Sequence, residues 1–144
     1  MNKFKLSIII FTFILIFSIS KVYALINNYT LLGKTIYIDP GHGGIDSGTT
    51  YKNIYEKDIN LIMSKKIEKY LVSKGATVYL TRETDKDLST TTVNRKRSDL
   101  SNRAYLINKS NANMYISIHL NYISNSNGKD YKYFIIINLK KMKK

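Results

Sequence analysis

The sequence contains no cysteine, so it can form neither a disulfide framework nor a thiolate zinc site. Acidic side chains are also few: 10 Asp and Glu stand against 23 Lys and Arg, and the formal net charge is +13. Such a charge suits an anionic partner, for example a cell wall, a membrane surface or a nucleic acid. A compositional bias towards Lys, Asn, Ile and Tyr explains it equally simply. Because the lysines form no stripe with interleaved aromatics, we predict no nucleic-acid partner.

Charged residues are absent from residues 6–19, an apolar run that follows Lys3 and Lys5. With Ala24 as an acceptable cleavage position, residues 1–24 have the three-part pattern of a secretory signal peptide. The run is shorter than the roughly 20 apolar residues that span a membrane. Membrane anchoring through residues 6–19 nevertheless stays open as the alternative. Both interpretations predict an exported protein, with the rest of the chain outside the cytoplasm.

The remaining chain alternates between strand and helix patterns. Residues 25–34 are predicted as a linker, strands at 35–38, 77–81 and 114–119, helices at 56–74 and 94–108, and a loop at 42–53. The predicted inward faces are Ile59, Ile62, Met63, Ile67, Tyr70 and Leu71 on the first helix, and Leu100, Ala104 and Ile107 on the second. The β-α-β-α-β order predicts an α/β fold, a mainly parallel twisted sheet flanked by helices.

The only two histidines of the chain follow predicted strands. His42 lies just past the first strand, within Ile-Asp-Pro-Gly-His-Gly-Gly, and His119 closes the third. Glu56 opens the first helix, and all three positions fall at the carboxyl edge of a parallel sheet, where ligands gather. Two imidazoles and one carboxylate suit Zn²⁺, and three protein ligands leave a position for water, as in catalytic sites.

Each of these residues also has a simpler interpretation. A single histidine after a strand is commonly a hydrogen-bonded rim residue, and a glutamate at a helix start interacts with the helix dipole. Asp39-Pro40-Gly41 is typical of a turn. The equivalent placement of both histidines favours the metal site over three separate structural roles.

Several ordered motifs resemble the zinc-dependent N-acetylmuramoyl-L-alanine amidases, and most closely the sporulation and germination-specific type that acts on spore-cortex peptidoglycan. They read IYIDPGHGGIDSGT, YEKDINL, TRETDKDLS and NRKRSDLSNRAYLINKSNANMYISIHLN, and they extend over about residues 33–125. The resemblance implies that His42, Glu56 and His119 bind Zn²⁺. It also implies peptidoglycan as the substrate, hydrolysis of the amide between N-acetylmuramic acid and L-alanine, and an accessory sporulation protein as a possible partner.

Three further residues are predicted with less specific roles. Asp39, next to the histidine loop, is a candidate for orienting a ligand or for capping the turn. Asn121, two residues after His119, is a candidate substrate-binding residue. Arg82 in the TRETD motif matches the family, and we expect a structural role for it.

The chain departs from the family beyond His119. The resemblance implies a general-base glutamate there, but the three glutamates of the chain all precede His119. They are Glu56, Glu68 and Glu83. Asp130 is the only later carboxylate side chain, and its surroundings do not match the family motif. We therefore predict no catalytic residue in this chain.

The similarity fades near residue 127, so the sequence predicts an incomplete domain. Residues 35–127 are interpreted as the N-terminal part of an amidase catalytic domain, and residues 128–144 as a divergent lysine-rich tail. A frameshift or early stop is the favoured explanation, and a shortened but functional variant is the alternative. The expected activity is that of a weak or inactive hydrolase, or of a non-catalytic exported wall-binding protein.

Overall fold

The computed structural model describes residues 2–124, 131–135 and 140–141, with side chains as far as Leu120. In chain order the elements are α1 (Lys3–Asn28), β1 (Thr35–Pro40), β2 (Thr50–Tyr51), β3 (Ile54–Tyr55), α2 (Glu56–Ser73), β4 (Thr77–Leu80), α3 (Arg95–Lys109), β5 (Met114–Ile118), β6 (Leu120–Ser124), β7 (Tyr131–Ile135) and β8 (Lys140–Lys141). The predicted strands and helices are all present, with ends that differ by up to two residues. The predicted loop at 42–53 contains β2, which pairs with β3 as a short antiparallel hairpin.

The main sheet has the strand order β4-β1-β5-β8. β1 is central and pairs in parallel with both β4 and β5, so that Tyr37 is opposite Tyr79 and Tyr115. β8 adds an antiparallel edge next to β5, and β6 pairs with β7 in a separate antiparallel ribbon. The predicted mainly parallel α/β sheet is therefore confirmed. Its buried core is formed by Ile36, Ile38, Ala76, Ile116 and Ile118.

The face of α2 that packs on this core differs in part from the prediction. Met63, Ile67 and Leu71 pack against the core, but Ile62 and Tyr70 are 54% and 61% exposed. The buried residues of the helix are instead Glu56, Asn60 and Ser64, spaced four residues apart. Glu56 accepts from the Thr49 and Leu120 amides, Asn60 donates to the Gly41 carbonyl, and Ser64 donates to the Asn60 carbonyl within the helix. Gly75 follows the helix with φ of +89°, which confirms it as the predicted stop.

The predicted inward face of α3 was wrong for two of its three residues. Leu100 is 56% exposed and Ala104 is exposed as well, whereas Asp99, Arg103 and Ile107 are buried. The helix is rotated in this way because Arg103 finds several acceptors inside the domain. A buried charge is tolerated when it is paired and fully hydrogen-bonded.

The N-terminal helix α1 is long and apolar, and none of its residues is buried. Its 26 residues extend for about 39 Å, which is enough to cross the hydrocarbon core of a bilayer. A signal sequence at the N-terminus has the same properties. Part of the predicted linker packs on the domain, because the Leu31 amide donates to the Lys74 carbonyl at 2.9 Å and the Leu31 side chain contacts the core.

Candidate metal centre

The first histidine is held in an unusual backbone conformation. His42 lies two residues after the end of β1 and has φ of 60°, in the left-handed region that residues other than glycine rarely adopt. Such a conformation costs of order 1 kcal/mol or more and persists only where surrounding contacts fix it. The contacts that fix it here come from two buried arginines and from Asn60, which donates to the Gly41 carbonyl at 3.2 Å.

Arg82 and Arg103 donate hydrogen bonds to three consecutive carbonyls of the histidine loop. Nε of Arg82 donates to Pro40 at 2.9 Å and its Nη2 donates to Gly41 at 3.0 Å. Nη1 of Arg103 donates to Pro40 at 2.8 Å, and its Nη2 donates to the carbonyl of His42 itself at 2.7 Å. Together the two guanidinium groups determine the path of the backbone on both sides of the imidazole.

The charge of Arg103 is balanced by two carboxylates. Its Nε lies 2.7 Å from Asp99, and its Nη1 lies 2.8 Å from Asp39. Burial by itself would lower the pKa of Arg103, but the bonds to Asp99 and Asp39 outweigh it and raise the pKa above its ordinary value. Asp39 also accepts from the Thr81 hydroxyl at 2.6 Å. Asp39 thus binds the arginine that shapes the loop, and its described hydrogen bonds go to neither histidine.

A second part of the TRETD motif fixes the glycines after His42. Asp85 accepts from the Gly44 amide at 2.8 Å, and Lys57 donates to the Gly44 carbonyl at 2.8 Å. Lys57 and Asp85 are themselves 2.6 Å apart. The hydrogen bond from Lys57 is the main cause that lowers the pKa of Asp85. Arg82 and Asp85 therefore both have the structural role that was expected for Arg82 alone.

Glu56 is the first residue of α2 and is 5% exposed. Its Oε2 accepts from the Thr49 amide at 2.8 Å, and its Oε1 accepts from the Leu120 amide at 2.9 Å. Burial would raise the pKa of Glu56, but the hydrogen bonds from these two amides and the electrostatic interaction with His42 outweigh it and lower the pKa below its ordinary value. The side chain is therefore a carboxylate, in one fixed orientation.

The three predicted ligands lie together at one edge of the sheet. Oε1 of Glu56 is 3.2 Å from Nε2 of His42 and 3.2 Å from Nδ1 of His119. The two imidazole rings meet edge to face, with centroids 4.8 Å apart. One ligand atom from each residue lies within 4.8 Å of those of the other two, so this group could hold a metal ion.

The two separations to Glu56 fit a zinc ion. With metal–ligand distances near 2.1 Å, two ligands of a tetrahedral zinc site are separated by about 3.4 Å, close to both observed distances to Glu56. Two glycines make this approach possible. A Cβ atom on Gly41 would lie 2.6 Å from Nδ1 of His119, and one on Gly48 would lie 2.6 Å from Cδ2 of His42.

Asp46 is a site residue that the sequence analysis missed. Its Oδ2 accepts a hydrogen bond from Nδ1 of His42 at 2.9 Å, which leaves Nε2 of the same ring free to face Glu56. A carboxylate on the second nitrogen of a metal-binding histidine fixes its tautomer and orientation. The pattern of an acidic residue four positions after His42 was the available clue, although loop geometry decides whether such a residue reaches the ring.

The structure does not describe the side chains of two other predicted positions. Asn121 belongs to β6 by its backbone, and its side chain lies outside the described part of the structure. Asp130 lies outside the described residues.

Comparison with known proteins agrees with this geometry. A model of the N-acetylmuramoyl-L-alanine amidase family matches residues 36–143, which include most of the predicted lysine-rich tail. The germination-specific N-acetylmuramoyl-L-alanine amidase of Bacillus subtilis is 47% identical over 97 residues, which cover 65% of this chain and 41% of that relative. The chain thus spans less than half the length of that protein.

Two solved structures share the fold. The CwlD amidase of Clostridioides difficile, in complex with the GerS lipoprotein, is 44% identical with a TM-score of 0.61, and the match covers 65% of this chain and 51% of that one. The catalytic domain of the amidase CwlV from Bacillus (Paenibacillus) polymyxa is 34% identical with a TM-score of 0.54, covering 65% and 48%. The family match extends over most of the 144 residues. The chain therefore belongs to the N-acetylmuramoyl-L-alanine amidase family.

Proposed function

We propose that this chain carries the metal-binding part of a zinc-dependent peptidoglycan amidase that cleaves the bond between N-acetylmuramic acid and L-alanine. The observation that carries the proposal is the convergence of His42, Glu56 and His119 within 4.8 Å of one another. The germination-specific relative in Bacillus subtilis supports a role in the spore cortex.

The residues of the centre either bind the metal or position a residue that binds it. His42, Glu56 and His119 would hold Zn²⁺, and Asp46 orients His42. When bound, the ion supplies a water of lowered pKa and a Lewis acid for the scissile carbonyl. The backbone around His42 is rigid because Arg82 and Arg103 bind its carbonyls. The side chain of His119 is 36% exposed, so the centre is open to solvent on that side and a large polymeric substrate can reach it.

The described residues offer no evident general base. Both oxygens of Glu56 accept amide hydrogen bonds, and Asp46 is bonded to His42 on the side away from Glu56. The sequence contains no glutamate after His119. A general base contributes typically a factor of 10²–10⁴. We therefore propose that a polypeptide of these 144 residues hydrolyses peptidoglycan slowly or not at all.

A non-catalytic wall-binding protein is the second candidate, and the same lack of a base favours it. In both cases we propose an exported protein, with α1 as its signal sequence or membrane anchor. We also propose an accessory lipoprotein as partner, because the related CwlD amidase is found in complex with GerS.

The test begins with zinc binding by the purified chain and by Glu56→Gln. We expect one Zn²⁺ per chain and a zinc affinity at least about 100-fold lower in the variant. Loss of a residue that only hydrogen-bonds to a ligand lowers metal affinity by up to about 100-fold, and loss of a ligand itself should lower it at least as much. Glu83→Gln is the matched control, since Glu83 is exposed and outside the centre. Equal zinc affinity in all three proteins would contradict the metal centre.

Incubation with peptidoglycan then separates the two candidates. Release of L-alanyl peptides that disappears in Glu56→Gln identifies a hydrolase. Binding to peptidoglycan without release, unchanged in Glu56→Gln, identifies a wall-binding protein. Release at ordinary enzyme rates, on the order of 10 per second, would contradict the proposed lack of a base.

A further inference from the structure

A cavity of about 240 Å³ lies beside the metal centre and has no role in the proposed function so far. It is lined by Ile45, Asp46, Asp87, Arg95, Lys96 and Asp99. Asp46 belongs to both sites, since it lines the cavity and also binds Nδ1 of His42 at 2.9 Å. A molecule held at the metal centre could therefore extend into the cavity.

The carboxylates in the wall of the cavity already have partners. Asp87 accepts hydrogen bonds from Nε and Nη2 of Arg95 at 2.9 and 3.1 Å. Asp99 lies 2.7 Å from Arg103, and Asp46 is bonded to His42. None of the three therefore needs a cation from a ligand to balance its charge.

The donors that remain are cationic. Lys96 is exposed and forms no hydrogen bond or ion pair within the described part of the chain, although its charge contributes to the lowered pKa of Asp46. Arg95 uses only Nε and Nη2 for Asp87, so its Nη1 is available. Ile45, 77% exposed, adds an apolar surface to the same cavity. This combination suits a ligand that carries a carboxylate on a short aliphatic stem.

We propose that this cavity binds a carboxylate of the substrate's peptide, with Lys96 as the residue that selects for it. The inference rests on the proposed function. In that substrate the lactyl carboxyl is consumed in the scissile amide, so the sugar side is neutral and the peptide side carries the free carboxylates. Lys96 therefore determines which side of the substrate lies over α3.

The test compares two ligands on the full chain, purified in detergent micelles and loaded with zinc. The ligands are N-acetylmuramoyl-L-alanyl-D-glutamate and the diamide of the same compound, with affinities measured by calorimetry. We expect the acid to bind about 5- to 10-fold more tightly than the diamide, as for one partly exposed charge-assisted hydrogen bond. Lys96→Gln should abolish the difference, and Lys96→Arg should retain it. Lys109→Gln, at the far end of α3, is the matched control.

The possible outcomes separate this inference from the proposed function. Equal affinity for acid and diamide, an unchanged preference in Lys96→Gln, or binding of neither ligand would overturn the peptide site. Failure to bind zinc would instead contradict the proposed function. Because Lys96 is not a member of the metal group, the comparison of acid with diamide is decisive in the metal-free chain as well.

Discussion

Replacing Gly41 by alanine should remove metal binding while leaving the domain folded. Gly41 has no positive φ, so alanine is compatible with its backbone. The conflict is with the ring of His119: a Cβ atom would lie 2.6 Å from Nδ1, and two further ring atoms lie closer still. Carbon atoms in normal contact are separated by about 3.5 Å or more.

The size of the displacement decides the outcome. To relieve the overlap, the ring of His119 must move by at least about 0.9 Å. Zinc sites tolerate deviations of roughly 0.2 Å in ligand distance. The displacement thus exceeds the tolerance several-fold, and His119 stops being a ligand. We expect zinc affinity to fall by at least about 100-fold.

Stability should change little, for three reasons. The side chain of His119 is 36% exposed and can rotate into solvent. Its hydrogen bond to Glu56 contributes about 1 kcal/mol. Removing a glycine from the unfolded chain stabilises the folded state by about 0.4–1 kcal/mol, which offsets part of that loss. The net change in the free energy of unfolding should therefore stay within about 2 kcal/mol.

Zinc titration and urea unfolding of Gly41→Ala, in the metal-free state, measure the two effects separately. Gly33→Ala is the control: a Cβ atom there meets nothing within 4 Å, although its φ of 73° disfavours alanine. The control should lose some stability and keep its zinc affinity. A folded Gly41→Ala protein that binds zinc as tightly as the original chain would refute the placement of His119 against this glycine.

Two further substitutions test how the first histidine is supported. Asp46→Ala removes the acceptor from Nδ1 of His42 and should lower zinc affinity about 10- to 100-fold, measured by competition with a chelator; an unchanged affinity would exclude the orienting role. Arg103→Ala leaves the buried carboxylates of Asp39 and Asp99 without their cation and should lower the free energy of unfolding by about 3–5 kcal/mol. Urea denaturation measures this loss, and a loss below 1 kcal/mol would show that Arg103 does not support the loop as described.

The sheet could be predicted from sequence because its signals are local. Short β-branched runs, the glycine after α2 and the alternation of strand and helix determine a parallel arrangement with few alternatives. That arrangement also brought His42, Glu56 and His119 to one edge, since it places the carboxyl ends of β1 and β5 side by side. Their meeting required only topology and no knowledge of side-chain packing.

The helix faces were predicted less well because the rule used was hydrophobic periodicity. That rule assigns Leu100 and Ala104 of α3 to the core, where the structure has Asp99 and Arg103. The burial of Arg103 depends on acceptors that are distant in sequence, the side chain of Asp39 and the carbonyls of Pro40 and His42. The sequence pattern of α3 alone therefore cannot predict that Arg103 is buried.

The misassigned faces and the metal centre have a common physical origin. A left-handed residue such as His42 is costly, and only buried donors aimed at its neighbouring carbonyls can hold it there. Arg82, Arg103 and Asn60 are those donors, and each bonds to the backbone at residues 40–42. Asn60 lies on α2 and Arg103 on α3, so the buried faces of both helices include polar residues that bond to this loop. The signal of this support in α2 is Asn60, one turn after Glu56, because it donates to the Gly41 carbonyl; Ser64, one turn further, bonds only to the Asn60 carbonyl of its own helix.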